Sequence, residues 1–161
     1  MELQTQKVDL GQFLSEVVKD HKRQFEEKKC EVKLQLEASP IVTVDKKALQ
    51  IVFNNLIGNA LRYSPSGSSL KIHLHRMGRF WDVDFADKGF GFDKKDLNRV
   101  FKKFYRVQNE DTQNIEGAGL GLFISREIVK NHKGRLRVMS SGRGQGSVFT
   151  VSLPVSRGLT V

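Results

Sequence analysis

At 161 residues, 39% hydrophobic and 28% charged, the chain has the size and balance of a single globular domain with a real core. No apolar run approaches the ~18 residues that span a bilayer, MELQTQKVDL lacks the apolar centre of a signal peptide, and the lone Cys30 excludes a disulfide framework or zinc pattern. The formal charge of +9 selects no partner because the lysines and arginines are scattered. These features together fit the reducing cytoplasm, with a parent protein free to be membrane-anchored.

In chain order, Asp9 and Gln12 form a capping-box-like pair, with Val8 and Phe13 at the staple positions. Leu10, Phe13, Leu14, Val17, Val18, His21 and Phe25 then keep helical spacing to about Lys28. Alternation from Cys30 to Leu36 predicts a strand, Pro40 a turn, and Ile41 to Val44 a second short strand. Asp45 can cap the next helix, DKKALQIVFNNLIGNALRYS, which ends in the turn signal from Ser64 to Gly67.

That helix has two faces. Leu49, Val52, Phe53, Leu56 and Ala60 form a buried stripe, whereas Asn55, Asn59 and Arg62 line up beside it at i, i+4, i+7. Asparagine is a mediocre helix former, so two of them a turn apart suggest a face that holds something polar. Gly58 on that side would let a ligand approach the backbone.

Paired strands are predicted from Leu70 to Arg76 and Arg79 to Ala86, bending at Met77-Gly78. DKGFGF, from Asp87 to Phe92, is a glycine-bearing loop. A charged, irregular stretch follows, and Gln108 to Glu116 has almost no apolar content and is expected to be mobile. Gly117 to Gly121 leads into a helix through about Asn131, and strands at Arg135–Ser140 and Ser147–Leu153 flank a glycine-rich turn. Helices and strands alternate without a strict βαβ repeat. The expected fold is therefore an α+β two-layer sandwich, a mixed sheet with three helices on one face.

Two stretches besides the asparagine helix carry chemistry. In GAGLGLFISREIVKNHKG, three glycines at alternate positions precede an amphipathic helix, an arrangement that offers backbone N–H groups and a positive dipole end to an anion. The spacing matches neither a P-loop nor a dinucleotide fingerprint, and a tight turn into a packed helix would look the same. Asp87, ending a buried strand, needs hydrogen-bond donors, of which the amino group of adenine is one, although an ordinary Asp-Gly turn is common.

Taken together and in this order, the stretches resemble the catalytic, ATP-binding domain of bacterial sensor histidine kinases, in the superfamily shared with DNA gyrase, heat-shock chaperones and MutL. NNLIGNALRYS is similar to that family's N box, DKGFGF to its G1 box, VFKKFYRV to its F box and GAGLGL to its G2 box. The resemblance runs from about Val8 to Leu153. It divides the chain into a linker end at 1–8, the ATP-binding domain at 9–154 with a lid at about 92–118, and a tail at 155–161.

The resemblance implies roles residue by residue. Asn59 is the Mg²⁺ ligand, with Asn55 near the metal and phosphates. Arg62 contacts phosphate, Tyr63 flanks adenine and Asp87 reads it. Gly89 and Gly91 are the G1 glycines. Gly117, Gly119 and Gly121 belong to G2, with the N–H groups of Leu120 and Leu122 on the phosphates. Arg106 reaches the terminal phosphate from the lid, and Phe101 and Phe104 anchor the lid to the body. Phe90, Lys88 and the NHKG ending at 131–134 depart from the usual pattern without removing a ligand.

The implied reaction is transfer of the ATP γ-phosphate to a histidine on a separate dimerisation domain, and through it to a response regulator. No nucleic-acid partner is expected, and the domain itself is expected to be monomeric. None of His21, His73, His75 and His132 has the context of a phospho-acceptor, and all four read as structural. Alternatives are a stand-alone anti-sigma-type serine kinase, an ATPase clamp and a non-catalytic nucleotide-dependent binding module. The first two need a glutamate one turn before Asn59, and an amide, Asn55, stands there.

Overall fold

The computed structural model describes residues 2–112, 115 and 119–156. Its elements are β1 (Gln6–Asp9), α1 (Leu10–Asp20), α2 (Lys22–Lys28), β2 (Glu31–Leu36), β3 (Ile41–Val44), α3 (Lys46–Arg62), β4 (Ser69–Met77), β5 (Phe80–Asp87), α4 (Lys94–Leu97), α5 (Gly121–Asn131), β6 (Arg135–Met139) and β7 (Ser147–Pro154). Five strands form one mixed sheet in the order β2-β4-β5-β7-β6, with β2 and β4 parallel and the other pairs antiparallel. β1 and β3 form a separate antiparallel pair.

Period-two alternation gives this sheet one apolar face. Leu70, Ile72 and Leu74 of β4, Val83 and Phe85 of β5, and Phe149, Val151 and Leu153 of β7 are buried in one core with the stripes of α1, α3 and α5. Phe53 of α3 stands at the middle, 5.4 Å from the Phe13 ring and 5.8 Å from Phe85. Every residue of the stripe expected on α3 is buried. The expected α+β two-layer architecture is therefore the one observed.

Two elements differ from expectation. The single helix predicted to Lys28 breaks at His21, whose ring Nδ1 bonds the Val17 carbonyl at 2.8 Å and whose own amide drops back to Val18. Neither proline nor glycine marks that break, so spacing alone could not reveal it. Gln6–Asp9 forms a strand that periodicity did not suggest, because its pairing partner β3 is distant in sequence, with Val8 opposite Val42. Asp9 caps α1 as expected through the Gln12 amide, but the Gln12 side chain turns to Glu16, leaving the box half formed.

α3 is fixed at its start by Asp45. Its carboxylate accepts from the amides of Gln4 and Ala48, each at 3.0 Å, and its own amide donates to His132 Nε2 at the end of α5. Those amides, Gln4 first, hold the Asp45 carboxyl below its ordinary value. A lowered folded-state value means stability that is present above the unfolded value of ~3.9 and lost as pH falls through the folded one. Asp45→Ala should accordingly cost about 0.5–2 kcal/mol at neutral pH in denaturant titrations, with the difference from the parent shrinking in acid.

Candidate functional site

The polar side of α3, the end of β5 and the start of α5 meet around a cleft. Asn59, Arg62 and Tyr63 line it from α3, Asp87 from β5, and Gly119, Leu120, Gly121 and Leu122 from the start of α5. Arg106 closes it from the segment between α4 and α5, together with Tyr105. Gly117 lies outside the described residues.

Asp87 sits where β5 ends, opposite Leu70 on one side and Ser147 on the other. Its Oδ1 accepts from the Gly89 amide at 2.8 Å and the Ser147 amide at 3.2 Å, and its Oδ2 accepts from the Ser147 hydroxyl at 2.8 Å. Burial pushes the carboxyl above its ordinary value, and these three donors only partly offset that. The result is a carboxylate of fixed orientation on the cleft floor. Ser147 is a site residue that motif reading missed; only the strand register reveals it.

On α3 the three aligned side chains divide their work. Asn55 is not on the cleft wall: its Nδ2 donates to the Gly121 carbonyl at 3.1 Å and to the buried Ser125 hydroxyl at 3.0 Å. It thereby ties the first turn of α5 to α3. Asn59 does face the cleft, and its Oδ1 accepts from Arg62 Nη2 at 2.6 Å. Gly58 leaves room for that guanidinium, since a Cβ there would lie 3.3 Å from Arg62 Nη1. The space read as an approach for a ligand is taken by Arg62.

The glycines likewise serve the backbone more than the ligand. A Cβ on Gly89 would stand 2.4 Å from the Tyr63 carbonyl oxygen, and one on Gly91 2.2 Å from that of Gly142. Gly119, at φ +74, donates no side chain to the cleft but packs against Phe104 and Tyr105, and its carbonyl accepts from the Phe104 amide. Gly121 alone has ordinary space, 3.6 Å from Asn55. No described side chain caps α5, so among the described residues nothing bonds the first-turn amides at Gly121 and Leu122, which can meet an anion.

The rest of the wall is apolar. Phe92, Val100, Val107 and Phe149 also line the cleft, a lining that motif reading did not assign to it. Phe101 anchors this segment as expected, its ring edge-on to Phe149 at 6.2 Å. Phe104 does not: it is 63% exposed, with Lys103 over its ring, because its left-handed backbone (φ 66) turns the side chain outward. Tyr105 donates to the buried Asp96 carboxylate, which raises the phenol's pKa. Arg106 lines the cleft and donates to the Ile115 carbonyl.

A partly apolar cleft that brings together a hydrogen-bonded carboxylate, helix amides and two arginines suits a flat heterocycle carrying a polyanion. Comparison with known proteins agrees. The family model for histidine kinase-, DNA gyrase B-, and HSP90-like ATPases matches residues 44–157. The sensor-like histidine kinase SenX3 of Mycobacterium tuberculosis is 35% identical over 147 residues, which cover 91% of this chain and 36% of that protein. The chain thus spans about a third of the length of such relatives. Among solved structures, the Acinetobacter baumannii histidine kinase AdeS superposes with a TM-score of 0.76 at 26% identity, covering 98% of this chain and 70% of that one. Full-length ShkA in complex with AMPPNP gives 0.82 at 26% identity, covering 96% and 32% respectively. Motif order, fold and cleft converge with these matches: the chain belongs to the histidine kinase-, DNA gyrase B-, and HSP90-like ATPase family and is an ATP-binding domain of its histidine-kinase branch.

Proposed function

We propose that this domain binds Mg²⁺-ATP and transfers the γ-phosphoryl group to a histidine on a separate dimerisation domain, which in turn serves a response regulator. Asp87 accepts from the amino group of adenine while Tyr63 flanks the ring, with Gly89 and Gly91 shaping the loop between them. Arg62 and the amides at Leu120, Gly121 and Leu122 hold the phosphates, with Gly119 in the turn that presents them. Residues 92–118 act as a lid, from which Arg106 reaches the terminal phosphate after releasing the Ile115 carbonyl.

The donor set at the cleft suits Mg²⁺. Asn59 offers one hard amide oxygen beside the phosphate-binding amides, and the exposed Arg62 that now pairs with it can turn away at little cost. When bound, the ion would offset charge on the β- and γ-phosphates. The chain's own contribution is positioning: it fixes the nucleotide's two ends and keeps the first turn of α5 in place through Asn55.

The observation that carries this reading is Asn55. A general base for water or serine would have to sit one turn before Asn59. The group there is an amide that cannot take a proton, and its NH₂ is already committed to Gly121 and Ser125. An imidazole acceptor is nucleophilic when neutral and needs no such base. The described histidines are otherwise engaged: His21 with Val17, His132 with Asp45 and Ile128, and His73 and His75 with carboxylates. A lone thiol and a nucleotide substrate both fit a cytoplasmic setting, and no helix among the described residues is long and apolar enough to cross a membrane.

The test has two parts. In calorimetry, Asn59→Ala should weaken Mg²⁺-ATP binding roughly tenfold and remove the difference between magnesium and chelator, about 1.4 kcal/mol. Unaltered magnesium dependence would remove Asn59 from the metal. The purified chain with radiolabelled ATP should acquire no acid-labile phosphate by itself, yet should label a phospho-acceptor domain from a related kinase supplied in trans. Steady ATP hydrolysis without any acceptor would favour the clamp ATPases instead.

A further inference from the structure

The outer face of the sheet, away from the helices and the nucleotide cleft, carries a side-chain cluster that phosphoryl transfer does not use. His73 and His75 alternate on β4, so both project from this face. Asp84 of β5 stands directly opposite His73 in the register and joins them. The two imidazoles stack with centroids 4.3 Å apart and 18° between planes. His75 Nε2 lies 2.8 Å and His73 Nδ1 3.9 Å from the same oxygen, Asp84 Oδ2. One ligand atom from each of the three residues falls within 4.8 Å of the others.

We propose that His73, His75 and Asp84 form a binding site for a divalent transition-metal ion of the zinc, nickel or copper type. Bonds of about 2.0–2.2 Å to one central ion need only small rotations from the present positions. Two imidazoles with one carboxylate are poor ligands for Mg²⁺ or Ca²⁺, which take mainly oxygen, and good ones for the later first-row ions. This site would therefore not compete for the ion that accompanies ATP.

The surroundings have the form of a second shell. The nitrogen of His73 that points away from the cluster, Nε2, meets the Glu37 carboxylate. The second oxygen of Asp84, Oδ1, accepts from the Thr150 hydroxyl at 2.7 Å. A metal-bound histidine ordinarily donates its other N–H to a carboxylate, and a ligating carboxylate is itself hydrogen-bonded; such contacts fix tautomer and orientation. An isolated cross-strand His-Asp pair would require only one histidine and no outer partners. Each ligand side chain keeps 20–25% of its surface, which leaves coordination positions for water or for a ligand from another molecule.

The experiment is zinc titration of the tag-free, chelator-treated chain by calorimetry, with Co²⁺ absorption as a spectroscopic reading of nitrogen and oxygen ligands. One equivalent of Zn²⁺ should bind and millimolar Mg²⁺ should not displace it. His75→Ala and Asp84→Asn should each weaken binding at least tenfold, and the outer-shell changes Glu37→Gln and Thr150→Val roughly tenfold. His21→Gln and Cys30→Ser should change nothing. Circular dichroism and ATP affinity report whether each variant is folded. Absence of stoichiometric binding, retention of full affinity in the His73→Ala/His75→Ala double variant, or loss of it in Cys30→Ser would each overturn the assignment.

Discussion

Asp87→Asn should weaken ATP binding roughly 30- to 150-fold while leaving the fold intact. A hydrogen bond to a charged group is worth about 2–3 kcal/mol when its partner is lost, which is that factor in affinity. The substitution is chosen because the site tolerates its shape. The amide oxygen can keep the Gly89 and Ser147 amides, and the Ser147 hydroxyl, which now donates to Oδ2, can rotate to accept from the new NH₂. What disappears is the negative acceptor offered to the base. Burial raises the Asp87 carboxyl's pKa, so ionisation costs the free protein. The stability tied to this group is fully present below the unfolded value of ~3.9 and lost as pH rises through the raised folded value. Removing the charge should therefore not lower the melting temperature at neutral pH. Nucleotide affinity has the opposite sign. In the parent chain it should fall as pH drops through the raised value, and in Asp87→Asn that dependence should vanish. Unchanged affinity, or affinity lost only along with the fold, would mean that Asp87 does not read the base.

Much of this site was legible because its motifs are local. The stripe and the polar face of α3 follow from spacing within one helix, and Asp87 stands out as a carboxylate at the end of an apolar strand. What sequence could not show is pairing across the chain. Ser147 matters only because the register sets it against Asp87. Asn55 aligns with Asn59 on the helix, yet its amide turns to Gly121 and Ser125, 66 and 70 residues away. β1 exists only by virtue of β3. The break at His21 arises from a side chain competing for the Val17 carbonyl, which no periodicity encodes. The resemblance implies that Phe104 anchors the lid, and a left-handed backbone at that residue sends it outward.

Gly91→Ala tests whether the glycines of the loop after β5 serve the ligand or the packing of the free protein. Were these glycines present to admit the adenine ring, a methyl group would harm affinity and spare the free protein. The packing points the other way. The loop is clamped from above by the β6–β7 turn, with the Gly144 amide on the Phe90 carbonyl at 2.7 Å and the Gly146 amide on the Gly89 carbonyl at 3.1 Å. It is clamped from below by the Phe90 amide on the Tyr63 carbonyl at 2.8 Å. A Cβ on Gly91 would lie 2.2 Å from the Gly142 carbonyl oxygen and 3.1 Å from that of Gly146, both backbone atoms that cannot rotate aside. Its φ of +66 adds the left-handed penalty, about 1–2 kcal/mol, to an overpacking cost of about 1–3 kcal/mol. A loss near 3 kcal/mol should lower the melting temperature of the nucleotide-free chain by roughly 6–12 °C. Affinity should fall too, because displacing this loop moves the Gly89 amide that orients Asp87. The decisive reading is the free protein: a melting temperature equal to the parent's, with affinity alone reduced, would return these glycines to the ligand.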